Sequence, residues 1–145
     1  MMSDRCAPLQ QLPAMTFEQM LEKVRYEGAY PTRERAEKAV RLVVSGLGRQ
    51  LTGDERVDLA SRLPLEAARI LTEQIPDALP LTGWAFVKDL AARSGAPLAS
   101  TRWDTGTVLA AVAAAAGSEL LTRILRRLPS GYAHLFGRTG LVQAA

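Results

Sequence analysis

Apolar residues recur along this chain at intervals of three and four, which predicts helices throughout. In "TFEQMLEKVRYEG" Phe17, Met20, Leu21 and Val24 share a face. Thr16 is a good N-cap, Gln19 completes a capping-box pattern, and Gly28 predicts the end. In "YPTRERAEKAVRLVVSGLGRQL" Thr32 precedes a stripe of Ala36, Val40, Val43, Val44 and Leu47. Glu34 with Lys38, and Glu37 with Arg41, are i,i+4 pairs on its polar side. "SGLG" late in this helix predicts close packing or a softened end. "LTGDERVDLASRL" pairs Thr52 with Glu55 as a second capping box and offers Val57, Leu59, Ala60 and Leu63 as apolar positions. "PLEAARILTEQ" reads as a fourth helix. No stretch alternates with the period of a strand, so the predicted fold is all-α.

"SRLP" at Ser61–Pro64 and "RRLP" at Arg126–Pro129 are the same turn, 65 residues apart. Proline cannot continue a helix but suits the first turn of the next, and it pushes the preceding residue out of the α region. Leu-Pro therefore predicts a helix end, a sharp bend and a new start, with the leucine plugging the corner. The likeness extends outward. At a shift of 65, Val43 and Val44 fall on Val108 and Leu109, Leu59 on Ile124, and Leu71 on Phe136; nearer the start, at 66, Met20 falls on Phe86 and Val24 on Leu90. Apolar positions match while polar ones drift, as in a repeat whose core is retained. The expected organisation is a leader over 1–15, a first four-helix repeat over 16–75, a linker over 76–83 rich in breakers, a second repeat over 84–137 and a tail over 138–145. Units this small are marginal alone, so the two are expected to pack as one compact helical bundle.

The pattern Phe-x-x-Met-Leu-x-x-Val, a capped Ala/Val-rich helix, then "LTGDERVDLASRLP", repeated more loosely as "AAGSELLTRILRRLP", resembles the bacterial domain-of-unknown-function family 2267. The resemblance runs from Thr16 to Gly137. It implies a duplicated helical unit and carries no catalytic or binding residue.

Charge changes the picture only locally. The net charge is +3, from 18 basic and 15 acidic residues, and residues 1–100 balance at 13 of each. Arg102, Arg123, Arg126, Arg127 and Arg138 then face only Asp104 and Glu119. Arg123, Arg126, Arg127 and Arg138 are therefore a candidate anion patch, although cations also suit a helix C-terminus. One cysteine, Cys6, permits no internal disulfide, and the nine-residue apolar run Val108–Ala116 is too short to span a bilayer. A cytoplasmic protein with no membrane segment is expected.

Chemistry is sparse. His134 is the lone histidine, read as a partly buried ring near Tyr132 and Phe136, and no metal set, catalytic set or cofactor is predicted. Asp54, Glu55 and Asp58 cluster at a helix start, where acids suit the dipole. Trp84, Trp103, Tyr132 and Phe136 are expected to fill the second half's core, beside a helix made small by Ala110, Ala111 and Ala113–Ala116. Tyr30, Trp103, Ala110 and Ala114 are the candidate partner surface. The expected function is a non-catalytic interaction or assembly module with a protein partner or a second copy of itself. The alternatives are weak nucleic-acid or anion binding through the arginines, and a small-ligand pocket between the halves.

Overall fold

A computed structural model describes residues 15–137. The leader up to residue 14, with Cys6, and the tail over 138–145, with Arg138, lie outside the described residues. Eight helices follow one another: α1 Phe17–Glu27, α2 Arg33–Gln50, α3 Gly53–Arg62, α4 Leu65–Glu73, α5 Gly83–Ser94, α6 Leu98–Ala116, α7 Ser118–Arg127 and α8 Tyr132–Leu135. No strand occurs among the described residues, and the protein is all-α.

The two longest helices, α2 and α6, pack on each other at the centre. Helix α2 also holds α1, α4 and α5, while α6 also holds α1, α3, α5, α7 and α8. One core results. Ala36, Val40, Val43, Val44 and Leu47, the predicted stripe of α2, are all fully buried, as are Val108, Leu109 and Val112 of α6. Each such Leu or Val contributes about 1.5–3 kcal/mol by leaving water. "SGLG" is indeed a close-packing site: a Cβ on Gly46 would sit 2.8 Å from Leu90 Cδ2, and one on Gly48 would collide with the carbonyl oxygen of Leu71.

Local signals decide the helix ends. Thr16 and Gln19 form the capping box in both directions, at 3.1 and 2.9 Å, and Thr32 Oγ1 accepts from Arg35 N–H at 3.1 Å. Arg41 pairs with Glu37 at 2.8 Å, whereas Glu34 and Lys38 form no ion pair. The second capping box does not form: Thr52 makes no side-chain cap bond, and the Glu55 carboxylate that would return to the Thr52 N–H turns to Arg123 and Arg127 of α7. Gly28 ends α1 in right-handed geometry, and the left-handed residue is Ala29, at φ 56°. Val57, expected inside, is 67% exposed.

Both leucines plug their corners and both leave the helical region, Leu63 at φ −91°, ψ 153° and Leu128 at φ −91°, ψ 151°. The second proline, however, does not start a helix. Ser130 and Gly131 intervene before α8, because Ser130 O accepts the N–H of Gly83 at 2.8 Å and holds the chain against the start of α5.

Candidate functional site

The α1–α2 corner meets the first turns of α6 in a buried polar network. Asp104 is 5% exposed on α6, among the buried Thr101, Thr105 and Val108. Tyr30 donates its hydroxyl to Asp104 Oδ1 at 2.5 Å, and Arg35 donates to Oδ2 at 3.0 Å. The Arg35 guanidinium also lies 5.0 Å from the Tyr30 ring centre, within cation–π range. Burial, followed by the hydrogen bond that the Asp104 carboxylate accepts, holds the Tyr30 hydroxyl well above the usual tyrosine range. The network satisfies a buried carboxylate and ties α1–α2 to α6.

Trp103 is the neighbour of this network. Its Nε1–H donates to Gly28 O at 3.0 Å, yet the residue is 56% exposed. The ring is thus oriented by a bond at one edge while its remaining surface faces water. From Trp103 a row of small residues runs along α6 through Gly106, over which Arg102 Nη1 lies, Thr107, Ala110 and Ala114, with Ala110 and Ala114 exposed. Beside it lies a hollow of about 300 Å³ bordered by Glu27, Arg102, Trp103, Gly106, Thr107 and Ala110. Of the candidate partner surface, then, Trp103, Ala110 and Ala114 are gathered on one face. Tyr30 is not at the surface: it is 7% exposed, drawn inward by Asp104.

The candidate anion patch is differently placed. Arg123 reaches Asp58 at 2.7 Å and Glu55 at 3.7 Å, and Arg127 reaches Glu55 at 3.4 Å. The hydrogen bond to Asp58 raises the Arg123 pKa above its ordinary value. Two of the arginines thereby join α7 to α3, and their charge is offset by the acidic start of α3. Arg126 is exposed and forms no ion pair with a described residue, and Arg138 lies outside the described residues. Asp54, Glu55 and Asp58 do not gather a metal site; no group of three or more potential ligands occurs among the described residues. No helix among them is long and apolar enough to cross a membrane.

Both tryptophans were expected in the core, and both are outside it: Trp84 is 59% exposed at the start of α5. The core of that region is filled by Tyr132, Phe136 and Phe86 instead, with the Phe86 and Tyr132 rings 5.3 Å apart. His134 is exposed, on the open side of α8.

A family model described as an uncharacterized conserved protein, DUF2267, matches residues 17–135. The chain belongs to the DUF2267 family. No curated protein matches it. The matched span of this DUF2267 protein takes in every helix, the Tyr30–Asp104 network and the Trp103 face. Sequence reasoning missed Arg35 and Asp104. The signal was present in "STRWDTGTV": a lone carboxylate at helical spacing from Thr101, Thr105 and Val108, on the face that is buried.

Proposed function

We propose that this DUF2267 protein is a non-catalytic interaction module, built from two copies of a four-helix unit, that docks a partner protein on the open face of α6. The observation that carries this is Trp103. A tryptophan held by a hydrogen bond and still more than half exposed loses little conformational freedom when covered, which is how aromatic anchors of interfaces behave. The small side chains at Ala110 and Ala114 let a partner helix approach closely, and the adjoining hollow leaves room for one of its side chains.

Two-copy construction is supported by reciprocal packing. Helices α2 and α6 meet, α3 and α7 meet, and α1 on α6 is matched by α5 on α2. Arg62 donates to Ala116 O at 2.6 Å, at the junction of α6 and α7, while Arg127 lies against Gly53, at the start of α3. Asp58 and Arg123, which meet at 2.7 Å, are 65 residues apart, the shift that relates the two Leu-Pro turns. Nucleic-acid binding is the weaker alternative, because Arg123 and Arg127 are committed to Glu55 and Asp58.

The test uses the full chain carrying Trp103→Ala or Ala110→Glu. Sedimentation would measure self-association, and pull-down with and without nuclease would measure capture. Both substitutions should abolish the same association while leaving the melting temperature nearly unchanged. An unaltered set of partners and an unaltered mass in both variants would reject the proposal.

A further inference from the structure

Arg102, whose Nη1 lies over Gly106, also borders a second hollow, of about 190 Å³, built from α5, α6 and α8: Gly83 and Trp84 begin α5 on one wall, Gly131 leads into α8 and His134 lies within it on the other, and Arg102 of α6 stands between. Both walls are fixed by a backbone seam. The Gly83 N–H donates to Ser130 O at 2.8 Å, and a Cβ on Gly83 would lie 2.5 Å from the Gly131 carbonyl carbon. Gly131 takes φ 97°, a left-handed value that glycine adopts at no cost. The seam brings Trp84 and His134, distant in sequence, to one opening.

Its chemistry is one-sided. No carboxylate borders the hollow. Arg102 forms no ion pair with a described residue, since nearby Asp104 is taken by Tyr30 and Arg35. Lys88 adds a second cation, with Nζ 5.9 Å from the centre of the Trp84 ring, and the adjacent Asp89 is engaged by Arg93 at 2.8 Å. The backbone N–H of Trp84 has no acceptor among the described residues, whereas those of Gly83 and Ala85 are bound by Ser130 O and Thr82 Oγ1. An exposed flat ring thus adjoins an arginine, an imidazole and an unengaged amide donor. In size, a protein cavity of about 150 Å³ accepts benzene.

We propose that this hollow binds a small aromatic oxyanion, its ring against Trp84 and its carboxylate or phosphate received by Arg102 and His134. Arginine suits this role because its planar fork meets two oxygens at once, and a charge-assisted bond is about twice as strong as a neutral one.

The test is a titration of the isotopically labelled full chain by NMR, in which the two tryptophans give two distinct indole signals. The probes are phenyl phosphate, benzoate, inorganic phosphate and benzyl alcohol. Phenyl phosphate and benzoate should move the Trp84 indole and amide signals along saturable curves with Kd on the order of 1 mM, while the Trp103 indole stays nearly still. Arg102→Gln should weaken both at least about tenfold and Arg126→Gln should not. An unmoved Trp84 signal, or an Arg102→Gln titration like that of the parent, would overturn the site. Equal binding of benzyl alcohol would remove the oxyanion from it, and equal binding of inorganic phosphate would remove the ring; either would overturn the proposal as stated.

Discussion

The two Leu-Pro corners begin alike and finish differently. Leu63 and Leu128 share their backbone angles to within 2° and are both buried. After the first, Pro64 caps α4 directly, and nine helical residues carry Ala67, Ile70 and Leu71 into the core. After the second, Ser130 and Gly131 divert the chain to Gly83, and α8 has only four residues. The dipeptide therefore dictates how a helix ends and where the leucine goes. The next element is decided by what receives it: the glycine notch of α2 in one case, the start of α5 in the other. The first corner is welded to the core, and the second leaves an opening beside Trp84 and His134.

The strongest way to break this contrast is to fill each notch. Gly48→Ala drives a methyl group into the Leu71 carbonyl at the α2–α4 crossing, where backbone, not a flexible side chain, must yield. A loss of about 3 kcal/mol is expected in urea unfolding. Gly83→Ala meets the Gly131 backbone instead, in a peripheral seam, and should cost about 1–2 kcal/mol while abolishing the response to phenyl phosphate. A Gly83→Ala cost as large as that of Gly48→Ala would show that both corners are equally part of the core.

Arg56 sharpens the same comparison. Its guanidinium donates to Gly48 O, to Leu51 O at 2.9 Å, to Leu71 O at 3.0 Å and to Gln74 O at 2.6 Å, closing the C-terminal ends of α2 and α4 together. Burial lowers its pKa below the ordinary arginine value. Sixty-five residues on stands Leu121, buried, and the end of α6 is closed by the Gly117 N–H donating to Ala113 O and by Arg62 donating to Ala116 O. Arg56→Leu should thus cost about 2 kcal/mol, because the carbonyls lose their donor, and Arg62→Ala about 1 kcal/mol, both by urea unfolding. Lysine at position 56 should recover little, lacking the planar fork.

Periodicity made the helices legible, and with them the Ala36–Leu47 stripe, because burial along a long helix is written in the spacing itself. Capping was legible at Thr16, where the partner is local, and misleading at Thr52, where a tertiary ion pair claims Glu55. Trp84 was misplaced because size alone assigns it to the core; its exposure depends on Tyr132, Phe86 and Phe136 having already filled it. The Trp103 face was half legible, since its small residues recur along α6, but the hydrogen bond that fixes the ring comes from a carbonyl on α1's far end. Arg102 was legible only as one cation of the local excess: its environment is assembled from α5 and α8, which only the fold brings beside it.

The finest comparison lies between two buried tyrosines. Tyr30 donates a hydrogen bond to Asp104, while the Tyr132 hydroxyl is buried with no partner among the described residues. Tyr30→Phe should therefore cost about 1 kcal/mol, by removing one donor from a buried carboxylate, and Tyr132→Phe should be neutral within about 0.5 kcal/mol. Both hydroxyls titrate above the ordinary range, first through burial, then through Asp104 for Tyr30 and Asp89 for Tyr132. A raised folded-state pKa means that the folded protein keeps protons the unfolded chain has released. Stability from both groups is thus complete below about pH 10 and drains away as the pH climbs past it. Thermal melts at rising alkaline pH should show the double phenylalanine variant losing less stability than the parent, and each single variant falling between. If Tyr132→Phe alone removed the whole alkaline loss, the cross-link at Asp104 would be the lesser contributor and the pairing of Tyr30 would count for packing alone.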